Sequence, residues 1–339
     1  MTTQHHFCIS ENRVQDEVGV KLVVLSLVQN EPDCILHLFI DDLSEELKSW
    51  ARDFPQVVLE QLTIKREDGW NIKAKILTKL LNDGVKAPIW IDSDIIVTAP
   101  IGHFFALEDD EMLVAEEFFR LRHRGTAGRT RGWGLPVGRN LPFTPNSCVV
   151  RVTDSHREFL NAWQELIRRP DYVALQAGPW NERPFYMMGD QDAMSALLGS
   201  EAFSHVPVRY LRKGRDIAQC FGADGYSPLD RLRNWQGLPP FVHAQGAKPW
   251  RKQEQIFQTQ VDAFWYAARD YRNGLTEDES GWLDDRSKLA KLLHCMFLGH
   301  SSYVGLPSAI CGAVGKYCGT IARKLGMPRQ PSISKTGKT

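Results

Sequence analysis

Short apolar runs alternate with helical periodicities through the first three quarters of the chain. Phe7-Cys8-Ile9-Ser10 is an apolar run followed by Glu11-Asn12, which predicts a first strand with a turn at its end. Apolar residues at 18, 22, 25 and 28 keep helical spacing. Asn30-Glu31-Pro32-Asp33 ends that helix, since proline disfavours helix at the residue before it. Ile35 to Ile40 reads as a buried strand. Asp41 to Glu46 then supplies a turn, an N-cap at Ser44 and acidic residues for the first turn of the next helix. Val57 to Ile64 predicts another strand, and Ile72 to Leu81 a basic amphipathic helix carrying Lys73, Lys75 and Lys79.

Ile89 to Val97 is the stretch around which the rest is arranged. Apolar residues lead into Asp92-Ser93-Asp94 and resume at once. A buried parallel strand reads as a near-continuous apolar run, whereas carboxylates are almost never buried without a partner. The pattern predicts a strand ending at its carboxyl edge, where open α/β sheets bind ligands. In extended chain the i, i+2 spacing sends both side chains to one side. Two hard oxygen donors there suit Mg²⁺ or Mn²⁺, and such an ion suits a diphosphate. An ordinary strand end with an Asp-Ser turn fits these residues as well.

Further strands are expected at Leu113-Val114-Ala115, ending in Glu116-Glu117, and at Asn146 to Val152. Ser155 to Ile167 is a helix whose Phe159, Trp163, Leu166 and Ile167 form a core face, and Asp190-Gln191-Asp192 opens another that runs through Leu198. Asp190 fits an N-cap, but Gln191 and Asp192 are polar groups that capping does not require. Between these elements, residues 120–140 carry seven cationic or imidazole side chains and five glycines. The stretch reads as a lid whose guanidinium groups face an anionic substrate, or as a solvated insertion. Phe241 to Trp250 is a second dense cluster, in which His243 offers a nitrogen ligand, Gly246 a close backbone approach and Lys248 a point charge for a phosphate.

Strand–helix alternation of this kind is the signature of a layered α/β domain with a mainly parallel sheet. No GxGxxG or GxxxxGK[ST] is present, so a Rossmann dehydrogenase or P-loop kinase would lack its phosphate grip. Lys plus Arg equals Asp plus Glu at 41 each, which gives no electrostatic argument for a nucleic-acid partner. The seven cysteines are scattered and never spaced as CxxC, consistent with a reducing, cytoplasmic setting. No signal peptide or transmembrane run is evident.

Four clusters occur in order: Asp92-Ser93-Asp94, Asn146-Ser147-Cys148, Asp190-Gln191-Asp192, and His243-x-x-Gly246-x-Lys248-Pro249-Trp250. Together they resemble glycosyltransferase family 8, the retaining nucleotide-sugar transferases that include glycogenin and bacterial lipopolysaccharide galactosyl- and glucosyltransferases. The resemblance spans roughly residues 7 to 250 and implies a GT-A fold, a UDP-sugar donor and a divalent ion, Mn²⁺ or Mg²⁺. It implies that Asp92, Asp94 and His243 hold the metal, and that Gly246 and Lys248 contact the diphosphate. Asn146 would face the donor sugar, and Asp190, Gln191 and Asp192 would line the reacting centre. Ser10, Asn12, Lys75 and Ser93 complete the expected donor site, with the base and ribose at the end of the first strand. The implied acceptor is a saccharide or glycolipid, anionic if the arginine-rich stretch faces it. Two departures stand out: one residue rather than two separates Gly246 from Lys248, and Cys148 stands where the family has glycine. Those departures keep a second reading open, a nucleotide-sugar or carbohydrate-binding protein that retained the fold without turnover.

The resemblance stops near residue 250, which marks residues 1–250 as the catalytic unit. Residues 251–326 form a helical extension and residues 327–339 a disordered tail. Helices are expected at Ile256 to Tyr271 and Ser287 to Leu298. Ile310, Val314, Tyr317, Ile321 and Leu325 recur at helical spacing and read either as an interfacial helix against the inner membrane surface or as a packing helix.

Overall fold

The computed structural model describes residues 4–40, 42–62, 69–117, 125–221, 225–234, 236–246, 248–251 and 258–284, with isolated positions at 310, 314, 317 and 318. The main sheet has seven strands in the order β3-β2-β1-β4-β7-β6-β8. They are β1 (His6–Ser10), β2 (Ile35–Phe39), β3 (Val57–Leu59), β4 (Pro88–Ile91), β6 (Met112–Glu116), β7 (Pro145–Arg151) and β8 (Val208–Leu211). A second sheet of three strands orders β5 (Ile95–Val97), β10 (Phe241–His243) and β9 (Ile217–Gln219). The expected α/β architecture with a mainly parallel sheet is therefore present. β7 alone runs against both of its neighbours in the main sheet.

That one reversal positions the site. β4 and β6 end at the same edge, and β7, running the other way, begins there. The carboxyl ends carrying Asp92 and Glu116-Glu117 thus meet the amino end carrying Asn146 and Ser147. Every residue of β4 and β7 is buried, as a central strand covered on both faces requires.

Helices cover both faces because their apolar positions recur at helical spacing. Helices α1 (Glu17–Asn30) and α2 (Glu45–Arg52) lie along one side of the chain's first half, with α3 (Lys73–Asn82) on the other core. The Ser44 hydroxyl accepts the Leu47 N–H as the N-cap of α2, as the sequence implied. Ile76, Leu77, Leu80 and Leu81 of α3 pack in one core with Phe159, Leu160 and Trp163. The last three belong to α5 (Arg157–Ile167), which follows the short α4 (Ala127–Gly132). Next come α6 (Pro170–Ala177), α7 (Asp190–Leu198) and α8 (Pro228–Arg233). Helix α9 (Gln258–Ala268) lies beyond the segment that carries the family likeness. Its Ala263, Phe264 and Ala267 nevertheless bury themselves with Leu22, Ile96, Val242 and Trp250. The Tyr271 hydroxyl fastens the same region by donating to the Val97 carbonyl at 3.1 Å.

Three local expectations change. The strand expected from Val57 to Ile64 ends at Leu59, where its pairing with β2 stops at the sheet edge. Glu60 turns away to the His37 imidazole and Lys79 instead. Asp92-Ser93-Asp94 is a turn rather than extended chain, closed by the Ile95 N–H on the Asp92 carbonyl at 3.2 Å. The chain there leaves the main sheet and enters the second one. The stretch from 120 to 140, read as a long loop, contains helix α4, and its residues 120–124 lie outside the described ones. Expectations at Ser287 to Leu298, at Ile310 to Leu325 and over 327–339 also lie outside them, apart from the four isolated positions. Among the described residues no helix is long and apolar enough to cross a membrane.

Candidate functional site

The Asp92–Asp94 turn and the end of β10 come together because β10 pairs antiparallel with β5, setting His243 opposite Ile95. The ligand atoms of Asp92, Asp94 and His243 lie within 4.8 Å of one another. His243 Nε2 is 3.3 Å from Asp94 Oδ1 and 4.0 Å from Asp92 Oδ2. Two ligands about 2.1 Å from one ion stand about 3 Å apart when adjacent, so this trio fits a small divalent ion.

The other oxygen of each carboxylate is held by a lysine. Asp92 Oδ1 accepts from Lys73 Nζ at 2.9 Å and from the Trp90 indole N–H at 2.6 Å. Asp94 Oδ2 accepts from Lys248, whose amine also donates to the Ala244 carbonyl at 2.9 Å. Each aspartate therefore presents one oxygen to the imidazole while its partner oxygen is fixed. Burial pushes the Asp94 carboxyl up, but Lys248 and His243 together hold it well below the ordinary carboxylate range. Burial pushes the His243 imidazole down, and the neighbouring Asp94 carboxylate, with Cys148, outweighs this and raises it to about 10.

Gln219 decides which imidazole nitrogen faces the acids. Its side-chain N–H₂ donates to the Glu116 carbonyl at 3.2 Å, and a carbonyl only accepts. The amide oxygen therefore faces His243 Nδ1, 2.6 Å away, so Nδ1 carries a proton and Nε2 is the nitrogen turned to Asp92 and Asp94. An outer partner of this kind is what orients a ligating histidine.

The turn rests on helix α1 through Gly19. A Cβ at that position would stand 2.7 Å from the Ser93 carbonyl oxygen and 2.9 Å from the Trp250 ring. The Ser93 hydroxyl donates to Glu11 at 2.8 Å, and Glu11 also accepts from the backbone N–H groups of Asn12 and Arg13. Ser10 ends β1 at this edge, so the end of the first strand and the acidic turn form one surface.

Around this trio the remaining expected residues divide. Lys73, in the first turn of α3, is buried and donates to the Ser147 hydroxyl at 2.9 Å. It also lies 3.6 Å from Asp190. Lys75, the residue expected in the donor site, is half-buried two positions on, where a helix presents a different face. Burial lowers the Lys73 amine, but Asp190 and Asp92 raise it further, which keeps it charged. Asp190 accepts from the Ser147 hydroxyl at 2.8 Å at the start of α7, and burial pushes its carboxyl up against the pull of Lys73. Asn146 accepts the Cys148 N–H at 2.8 Å and donates to Glu117 at 2.6 Å. Gly246 is exposed with φ +89°, a left-handed conformation that glycine adopts without strain.

Asp192 is elsewhere. Its carboxylate is completely buried, one oxygen on Arg129 Nε at 2.6 Å, the other on the N–H groups of Met188 and Gly189. With both oxygens bound inside the protein, it locks α4 to α7. Two arginines of the arginine-rich stretch have partners inside the protein. Arg129 serves Asp192, and Arg139 donates to the carbonyls of Leu198 and Val206.

Glu117, like Gln219, is a residue that the sequence did not single out. Its Oε2 accepts side-chain amides from Asn146 at 2.6 Å, Gln245 at 3.0 Å and Gln191 at 3.2 Å. One carboxylate thus orients three amides contributed by three separate clusters. The only sequence signal was a pair of glutamates at the carboxyl end of a strand. Cys148, which replaces an expected glycine, points its buried thiol toward Gln219.

No protein-family model and no curated protein matches the chain. Its fold is shared with solved structures. Galactosyltransferase LgtC in complex with donor and acceptor sugar analogs is 15% identical, with a TM-score of 0.52 over 80% of this chain and 100% of that one. An active-site mutant of LgtC matches with a TM-score of 0.51 at 15% identity, over 84% of this chain and 99% of that one. The apo bifunctional glycosyltransferase WbbM matches at 0.50 with 12% identity, over 77% of this chain and 49% of that one. The chain therefore has the GT-A glycosyltransferase fold.

Proposed function

We propose that the chain is a metal-dependent glycosyltransferase that moves a hexose from a UDP-sugar to a saccharide or glycolipid hydroxyl with retention of configuration. The observation that carries this reading is the Asp92–Asp94–His243 trio, with its imidazole oriented by Gln219, at the carboxyl edge of this fold. Solved proteins of the same fold act on sugars, and one is bound to donor and acceptor sugar analogs.

Asp92 Oδ2, Asp94 Oδ1 and His243 Nε2 would hold Mn²⁺ or Mg²⁺. Such an ion supplies a Lewis acid for negative charge on the donor's diphosphate. Lys248, whose amine is seated on Asp94, would also contact the same phosphates. Lys73 stands between Asp92 and Asp190 and offsets the repulsion between the two carboxylates. Gln191 donates its N–H to Glu117, so its amide oxygen is the end presented to positive charge on the anomeric carbon. The bond from that carbon to the diphosphate oxygen breaks with its electrons going to the oxygen. The acceptor oxygen bonds to the same face, and the acceptor proton passes to the departing phosphate. An amide oxygen is a poor nucleophile, which favours this front-side course over a glycosylated Gln191.

The free, buried thiols of Cys8, Cys34, Cys148 and Cys220 support a cytoplasmic setting for the reaction. A thermal-shift panel of UDP-, GDP- and TDP-sugars with and without Mn²⁺ tests the donor. Stabilisation by UDP-sugars that depends on Mn²⁺ is expected, and no Mn²⁺-dependent shift with any of them would contradict the proposal. Binding without transfer or hydrolysis would instead select the non-catalytic reading.

A further inference from the structure

Two tryptophans stand half-exposed beside the proposed reacting centre. Trp70 is 44% exposed and Trp180 55%, and their rings meet edge to face with centroids 6.1 Å apart and planes at 81°. Large aromatic surface left open to water is uncommon away from binding sites. Trp70 lies three residues before Lys73 in the turn that opens α3. Its indole also rests against Gly189, the residue before Asp190, where an added Cβ would meet the ring nitrogen at 3.5 Å.

Each indole is held by its neighbours while much of it stays open to solvent. The hydroxyl of Tyr172, which is wholly buried, donates to the Asn71 side chain next to Trp70 at 2.7 Å. The Arg183 guanidinium lies over the Trp180 ring at 5.2 Å. Arg183 also donates to the carbonyls of Gln176 at 2.7 Å and Met188 at 3.1 Å, which ties Trp180 to the strand of chain leading into Asp190. The indoles are therefore anchored, and little side-chain entropy remains to be lost when something stacks on them.

We infer that Trp70 and Trp180 form the acceptor subsite, a right-angled platform for a pyranose ring of the acceptor saccharide. The axial C–H face of a pyranose is apolar and slightly positive, matching the negative face of an indole, while its hydroxyls remain on the wet edge. The inference rests on the glycosyl-transfer reading. Under that reading the donor's phosphates and sugar take the buried polar groups from Asp94 to Asp190, and the open aromatic surface bordering Asp190 is left to the acceptor.

Saturation-transfer NMR with methyl β-D-glucopyranoside and methyl β-D-galactopyranoside on the full chain tests it. Wild type is expected to saturate the ring protons of at least one glycoside. Trp180→Ala, checked for a normal melting transition, is expected to lose the signal at least fivefold, and Trp70→Phe to retain it. Equal signals in wild type and Trp180→Ala, or none in wild type, overturns the platform. Loss of phosphatidylcholine-vesicle binding in Trp180→Ala, without any glycoside contact, would overturn it in favour of a lipid surface. UDP and Mn²⁺ binding by wild type, measured alongside, separates the two failures: its absence defeats the transferase reading, its presence leaves only the platform refuted.

Discussion

The Gln219 amide oxygen sits 2.6 Å from His243 Nδ1, and this contact directs Nε2 of the same ring at Asp92 and Asp94. Outer partners of ligating histidines are worth about 10–100-fold in metal affinity. Gln219→Leu is therefore expected to weaken Mn²⁺ binding by about that factor in calorimetry with the circular dichroism spectrum unchanged. Gln219→Glu, which still accepts from Nδ1, should bind more tightly than the leucine variant. Identical affinities in all three proteins would show that the ring is oriented by something else.

Proton release should accompany metal binding. The neighbouring Asp94, with Cys148, raises the His243 imidazole to about 10 against its burial, so at neutral pH Nε2 of the metal-free protein carries a proton that an ion must displace. Apparent affinity should then fall as pH falls, roughly tenfold per unit while the carboxylates stay ionised. Calorimetry in two buffers of different ionisation enthalpy is expected to report about one proton released per ion bound. A value of zero would contradict the coupling.

Asp192 separates a structural from a catalytic role cleanly. Its pair with Arg129 is buried on both sides, and removing one partner of a buried pair costs about 3–5 kcal/mol because the other charge is stranded. Asp192→Ala should lower the urea midpoint by a corresponding amount. Full stability with lost donor hydrolysis would return Asp192 to the reacting centre.

Gly19→Ala pits two effects against each other. Replacing glycine inside a helix favours the helix by about 1 kcal/mol, whereas crowding a packed site costs about 1–3 kcal/mol. The new methyl would meet the Ser93 carbonyl, a backbone atom of the acidic turn that has no rotamer to change. The expected outcome is a lower melting temperature together with weaker Mn²⁺ binding. A stabilised protein with normal metal affinity would mean that the turn yields easily.

The parts of this molecule legible in its sequence are those with a local signal. Apolar periodicity located α1, α3 and α5, a polar triplet ahead of an apolar stretch located α7, and a carboxylate pair ending an apolar run located the acidic turn. His243 became readable only in company with Gly246 and Lys248. The burial of Asp192 was not readable, because its partner Arg129 lies 63 residues away in a stretch whose composition suggests solvent. Lys73 and Lys75 are equivalent by composition, and only the rotation of α3 separates them. Gln219 and Glu117 carry no motif at all. They act through tertiary contacts with His243, Asn146, Gln191 and Gln245, and β9, which delivers Gln219, is three residues long.

Hydrolysis of a UDP-hexose, followed with and without Mn²⁺ in wild type and Asp94→Asn, tests the metal centre directly. The asparagine keeps the shape of the turn and removes the charge shared by His243 and Lys248. Wild type is expected to hydrolyse the donor only with the metal, and the variant to be slower by at least about 100-fold, the scale of losing one preorganised electrostatic contact. Equal rates in the two proteins, or wild-type hydrolysis indifferent to Mn²⁺, would contradict a reaction centred on Asp92, Asp94 and His243.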